Sequence, residues 1–114
     1  MNFEALSQRE LATILDVDPS SIGNWTRLGM PYTPAPKGQA GSYSAPVCIN
    51  WKFGHTWAKR SQIKLTPLEK VAIGWLTGAG EPDMGLFAEV VRQAGAEPEA
   101  APELLGFARG LLKR

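Results

Sequence analysis

The chain predicts a mainly α-helical protein in two parts, an N-terminal helix-turn-helix unit and a C-terminal region of short helices. Three observations carry this. Residues 8–27, QRELATILDVDPSSIGNWTR, put small and apolar residues where two short, steeply crossed helices need them. Residues 66–114 hold apolar stripes of helical spacing interrupted by Gly and Pro. Between these parts, residues 32–43, YTPAPKGQAGSY, have no apolar period, and the helical pattern resumes at Ser44.

The first helix opens at Ser7, with Glu10 three residues on at capping-box spacing. Ala12 is the small residue at the helix crossing, and Leu11, Leu15, Val17, Ile22 and Trp25 are the apolar residues facing inward. The tight turn, usually glycine because its backbone is left-handed, is Asp16, and aspartate tolerates that conformation better than most residues. Asp18-Pro19 is a cap followed by proline at the first position of the second helix. Ser20, Ser21, Asn24 and Arg27 then share the face that Ile22 and Trp25 leave free, and Asn24 has the side chain suited to a bidentate adenine contact. Trp25 is expected in the core. Gly29 and Pro31 end the helix.

Residues 32–43 read as a loop or short hairpin turning near residues 37–41. A basic, glycine-containing hairpin directly after a recognition helix is where a winged variant places its wing, so Lys37 and Gln39 join the expected DNA contacts. Ser44 caps a third helix through Pro46, with Val47, Ile49, Trp51 and Phe53 apolar and Lys52, Lys59 and Arg60 polar. Gly54 is expected to fray or bend it.

Residues 61–65 form the expected linker between a DNA-binding unit at 1–60 and an oligomerisation region at 66–114. In that region Thr66-Pro67 with Glu69 starts one helix, a second runs from about Pro82 to Ala94, and a third follows Pro102. Residues 97–103, EPEAAPE, read as a turn or hinge. Helices this short are marginal alone, so Leu68, Val71, Trp75, Phe87, Val90, Val91, Leu104, Phe107 and Leu111 are expected to be buried between subunits, with Ile73 as a further apolar residue for such a contact. Gly106 and Gly110, four apart, have a spacing that allows close helix approach. A head cut off near Leu65 is expected to stay soluble and to bind DNA more weakly than the whole chain, through lost avidity.

The formal charge of +1 hides an asymmetry. Residues 1–65 carry seven Lys/Arg against four acids, and residues 66–114 carry five against seven, so the positive field sits with the helix pair. The single cysteine, Cys48, excludes an internal disulfide and a cysteine-based zinc site, and reads as a small buried hydrophobe. The single histidine, His55, has no partner at metal spacing and reads as a surface or interface residue. With no phosphate-binding glycine loop either, the expectation is a non-enzyme without catalytic residues, metal or cofactor. The single cysteine, together with the lack of a signal peptide or long apolar run, leads to the expectation of a reducing, soluble, cytoplasmic setting and no membrane partner.

The sequence LSQRELATILDVDPSSIGNWTRLGMP, the Gly/Pro-rich segment and YSAPVCINWKF together resemble the N-terminal winged helix-turn-helix domain of small terminase subunits of tailed double-stranded DNA phages, in the lambda-like branch. The matching elements are Asn24-Trp25 late in the recognition helix, the Gly29-Met30-Pro31 exit, and the Ser44-capped helix carrying Trp51. The resemblance spans roughly residues 3–60, and the lambda-type long charged helix after that domain is absent. It implies a non-catalytic viral DNA-packaging subunit in the cytoplasm of an infected bacterial cell. Its partners would be double-stranded DNA at the packaging-initiation site, a large terminase subunit carrying ATPase and nuclease, and further copies of itself in a ring. A winged-helix transcription regulator or excisionase, and a helical scaffold or adaptor, are the alternatives.

Overall fold

Local capping starts the first two helices where the sequence marks them. A computed structural model describes residues 3–39, 41–79 and 83–113. Helix α1 spans Gln8–Leu15, and its capping box is closed in both directions: the Glu10 backbone N–H donates to Ser7 Oγ at 3.1 Å, and the Ser7 N–H donates to Glu10 Oε1 at 2.9 Å. Asp16 takes the left-handed conformation at φ 56°, which turns the chain so that the Val17 N–H reaches the Ala12 carbonyl at 3.0 Å. Helix α2 spans Pro19–Arg27, capped by Asp18 Oδ1 on the Ser20 N–H at 2.8 Å. Leu11, Ala12 and Ile22 close the crossing and are fully buried, while Gln8 Nε2 donates to the Pro19 carbonyl at 2.7 Å and fixes one helix start on the other.

At the end of α2, Gly29 is at φ 108° and the Met30 N–H donates back to the Trp25 carbonyl at 3.0 Å, a Schellman closure. The chain then forms a minimal hairpin. Thr33 and Ser42 exchange both backbone hydrogen bonds, Gly38 turns at φ 90°, and the Gln39 N–H donates to the Pro36 carbonyl at 3.0 Å. Residues before α1 join it, with Leu6 paired antiparallel to Tyr43. Among the described residues this pairing is confined to isolated bridges, and the protein is mainly helical as expected.

Helix α3 spans Ala45–Ser61 and α4 spans Pro67–Ala79. They cross antiparallel at glycine on both sides. A Cβ on Gly54 would lie 1.8 Å from the Lys70 carbonyl oxygen, and one on Gly74 would lie 1.9 Å from that of Asn50. Gly54 therefore does not fray the helix: α3 runs through it uninterrupted, because the missing side chain lets the two backbones touch.

This crossing joins the two expected parts of the chain. The short segment 61–65 between them is itself held to the core: Ile63 and Leu65 pack on it and the Ile63 N–H closes on the Ala58 carbonyl at 3.1 Å. One cluster of buried residues runs from Leu6 through Trp51 and Phe87 to Leu111.

Helix α5 spans Met84–Gln93, capped by Asp83 on the N–H groups of Gly85 and Leu86, and the expected start at Pro82 lies outside the described residues. Of the turn or hinge expected at residues 97–103, the structure has the turn. Pro98–Ala100 form a 3₁₀ turn that leads into helix α6, Ala101–Leu112. Val71, Ile73, Phe87, Val90, Val91 and Leu111, expected between subunits, are instead buried within one chain, because α3, α5 and α6 together cover the faces that no single short helix can hide. Leu68, Trp75 and Leu104 are half-buried, and of the expected interface residues only Phe107, 44% exposed, faces outward. Nothing lies within 4 Å of a Cβ built on Gly106 or Gly110, so no close helix approach occurs there within the chain.

Candidate nucleic-acid interface

Helix α2 buries Ile22 and turns its other side outward. Ser20, Asn24 and Arg27 are exposed at helical spacing, and Ser21 is half-buried beside them. The Arg27 guanidinium donates to Asn24 Oδ1, which leaves the Asn24 amide N–H groups free to donate. A bidentate contact to adenine would require Asn24 to exchange its Arg27 donor for the base amine, and Arg27 would then be released toward a phosphate or a guanine edge.

The hairpin base is held against α2. Tyr43 is buried, its hydroxyl lies 3.2 Å from Thr26 Oγ1 of α2, and its ring stacks on Tyr32 at 5.7 Å between centroids. Close approach of the return strand requires Gly41, where a Cβ would lie 2.7 Å from the Thr33 carbonyl oxygen. Lys37 and Gln39 are exposed at the tip that this base carries. Helix and hairpin base are thus joined through Thr26 and Tyr43, rather than through contacts between the expected DNA-binding residues themselves.

Trp25 differs from its expected place. It packs on the core but is only half-buried, and the Lys52 ammonium of α3 sits 4.7 Å over its ring centroid, a cation–π contact. Lys52 belongs to a surface that the sequence marks only as a polar face. Lys52, Phe53, Thr56, Trp57 and Arg60 line an open groove of about 520 Å³ beside Thr77 and Gly78, with Phe53 55% exposed. The i, i+4, i+8 spacing of Lys52, Thr56 and Arg60 beside Phe53 and Trp57 was the available signal: a basic, aromatic-interleaved stripe on one helix.

The remaining candidate groups fall into place. Cys48 is fully buried with its sulfur 3.7 Å from the Pro31 carbonyl, and burial pushes its thiol up to about 12, so no reactive thiolate forms near neutral pH. His55 is partly buried and stacks on Trp51 at 4.6 Å, with Lys70 Nζ 3.0 Å from its Nδ1. Among the described residues no group of His, Cys, Asp or Glu could hold a metal ion, and no helix is long and apolar enough to cross a membrane.

Comparison with known proteins finds neither a family model that matches this chain nor a matching curated relative. What the chain does must therefore be read from its own residues.

Proposed function

We propose that this chain is a non-catalytic DNA-recognition protein whose first 60 residues form a winged helix-turn-helix. In this reading α2 is the recognition helix, the hairpin closed by Thr33 and Ser42 is the wing, and Lys52, Phe53 and Arg60 extend the contact to the DNA backbone. The observation that carries it is the left-handed turn at Asp16 between two capped helices, which leaves Ser20, Asn24 and Arg27 on a face free of protein packing. The resemblance to small terminase subunits extends the reading. The chain would mark the packaging-initiation site of a phage genome, in the cytoplasm of the infected bacterium, and present that DNA to a large ATPase-nuclease subunit from a ring of copies.

A regulator or excisionase is favoured by one specific observation. The C-terminal helices bury most of their apolar residues within the chain, so a monomer or dimer is self-sufficient. Light scattering of the full chain distinguishes the two, since a ring-sized mass supports packaging and a dimer supports regulation. Sequence reading is tested by selecting preferred duplexes from a random pool. Asn24→Ala is expected to lose about 1–3 kcal/mol on the selected site and much less on random duplex. Equal losses on both would reduce Asn24 to a backbone contact, and absence of salt-dependent duplex binding would favour an adaptor that binds protein.

A further inference from the structure

Beyond α2 and the hairpin, the end of α3 and the start of α4 enclose an open groove of about 500 Å³. Lys59, Gln62 and Lys64 lie on its exposed side, His55 and Lys70 on its partly buried side, and Ala58, Ile63 and Leu65 complete the wall. Among the described residues, no carboxylate lines it. Glu69, next to Lys70 in the chain, is turned onto the Thr66 N–H at 2.8 Å and borders a different groove beside Leu104 and Phe107.

The inner groups are held in place before any ligand arrives. Lys70 Nζ lies 3.0 Å from His55 Nδ1 and 5.3 Å from the Trp51 ring centroid, and His55 stacks on that same ring. A charged ammonium can only donate, so His55 accepts at Nδ1 and is the neutral tautomer with its proton on Nε2. Burial first, and then the Lys70, Lys52 and Lys59 charges, hold the imidazole below its ordinary range. Helix-end electrostatics account for Lys59, which sits in the last turn of α3, where a cation is favourable. They do not account for Lys70, which lies near the N-terminus of α4, where a cation is disfavoured, and is partly buried as well.

We propose that this groove binds a phosphate group, with Lys59, Lys64 and Lys70 as its cationic donors and His55 Nε2–H as a neutral one. Three ammonium groups and an imidazole N–H offer donors only, which excludes a metal ion, and a multiply charged, oxygen-rich anion fits their number better than a single carboxylate. The phosphate can belong to a nucleic-acid backbone or to a free phosphomonoester. The first source is geometrically natural, since a Cβ on Gly29, at the exit of α2, would lie 3.3 Å from Pro67, three residues beyond Lys64.

The test follows the titration of the single histidine by NMR in the full chain, at matched ionic strength in chloride, with inorganic phosphate, and with a random duplex bearing 5′-hydroxyl ends. Bound phosphate neutralises the surrounding field, so the His55 midpoint is expected to move up. A response to the duplex alone identifies the backbone as the source, and a response to inorganic phosphate identifies a free phosphate site. No response to either overturns the proposal. Lys59→Gln/Lys64→Gln, at exposed positions and with folding checked by circular dichroism, should weaken the responding ligand roughly tenfold or more, as expected for loss of charge-assisted hydrogen bonds. It should also flatten the salt dependence of duplex binding by about one per lysine if the backbone is the source. Unchanged affinity for that ligand overturns the proposal equally. Asn24→Ala should leave the His55 response intact, so failure of the recognition-helix reading and failure of this site are read separately.

Discussion

Asp16 holds φ 56° without the freedom of glycine, a conformation that L-residues reach at a cost of roughly 1–2 kcal/mol. Asp16→Gly is therefore expected to leave stability unchanged or raise it by less than about 1 kcal/mol, the relief of strain being offset by a more flexible unfolded chain, whereas Asp16→Val should lower it. Thermal melts of the two variants check the sign. The titrating residues give a second prediction. His55 is held below its ordinary value of 6.5, chiefly by burial and then by Lys70, so the folded state disfavours its proton. Its contribution is complete at neutral pH and is lost as pH falls through 6.5 toward the lowered folded value. Glu10 and Asp18 are held below 4.5 and 3.8 by the helix-start hydrogen bonds of Ser7 and Ser20, so their contributions disappear only in more acidic solution. A melt series should show two separate declines with acidification, and His55→Gln should flatten the one nearer neutrality while leaving the lower one in place.

Among elements, the contact between α3 and α4 is the strictest. Alanine at Gly54 or Gly74 would drive a Cβ into a facing carbonyl oxygen rather than into a side chain that can swing away. Each substitution should cost at or beyond the top of the roughly 1–3 kcal/mol range for overpacking. Helix α6 gives the opposite sign. Gly106 and Gly110 meet nothing within 4 Å, so alanine at either should stabilise the chain by roughly 0.5–1 kcal/mol. Denaturant midpoints read both effects, and a loss at Gly106 or Gly110 accompanied by a fall in oligomer mass would show that these glycines face another copy. What the sequence disclosed follows the same division between local and distant contacts. The starts at Ser7–Glu10, Asp18–Pro19 and Thr66–Glu69 were legible because each cap acts within three residues. The pairing of Gly54 with Lys70, and of Leu6 with Tyr43, was not, because neither glycine nor an apolar stripe names the element it will meet. For the candidate site, the outward face of α2 was legible from its period. The cover of Lys52 over Trp25 was not, since it joins two helices through a residue that reads as solvated.

Over the whole molecule, the interlocked core changes what truncation should do. A fragment ending near Leu65 would lose the α4 backbone against which Gly54 and Asn50 rest and would uncover residues now sealed by α4 and α5. It is expected to give the poorly dispersed amide spectrum of a molten chain, not that of an independent DNA-binding head. A well-dispersed spectrum from that fragment would mean that α1–α3 are self-sufficient. The same core reaches back to the beginning of the chain. Ser44 Oγ lies 2.5 Å from Gln93 Oε1, and Gln93 Nε2 donates to Glu4 Oε1 at 3.1 Å, across 89 positions in the sequence. A chain leaving the ribosome presents Glu4 long before Gln93 and Gly54 well before Lys70. The helices that carry the proposed reading face are therefore made first and secured last, and their final fixing has to wait until synthesis has passed α5. During that interval a nascent chain exposes Trp51 and its neighbours, apolar surface that other chains can reach only until α4 has emerged to cover it.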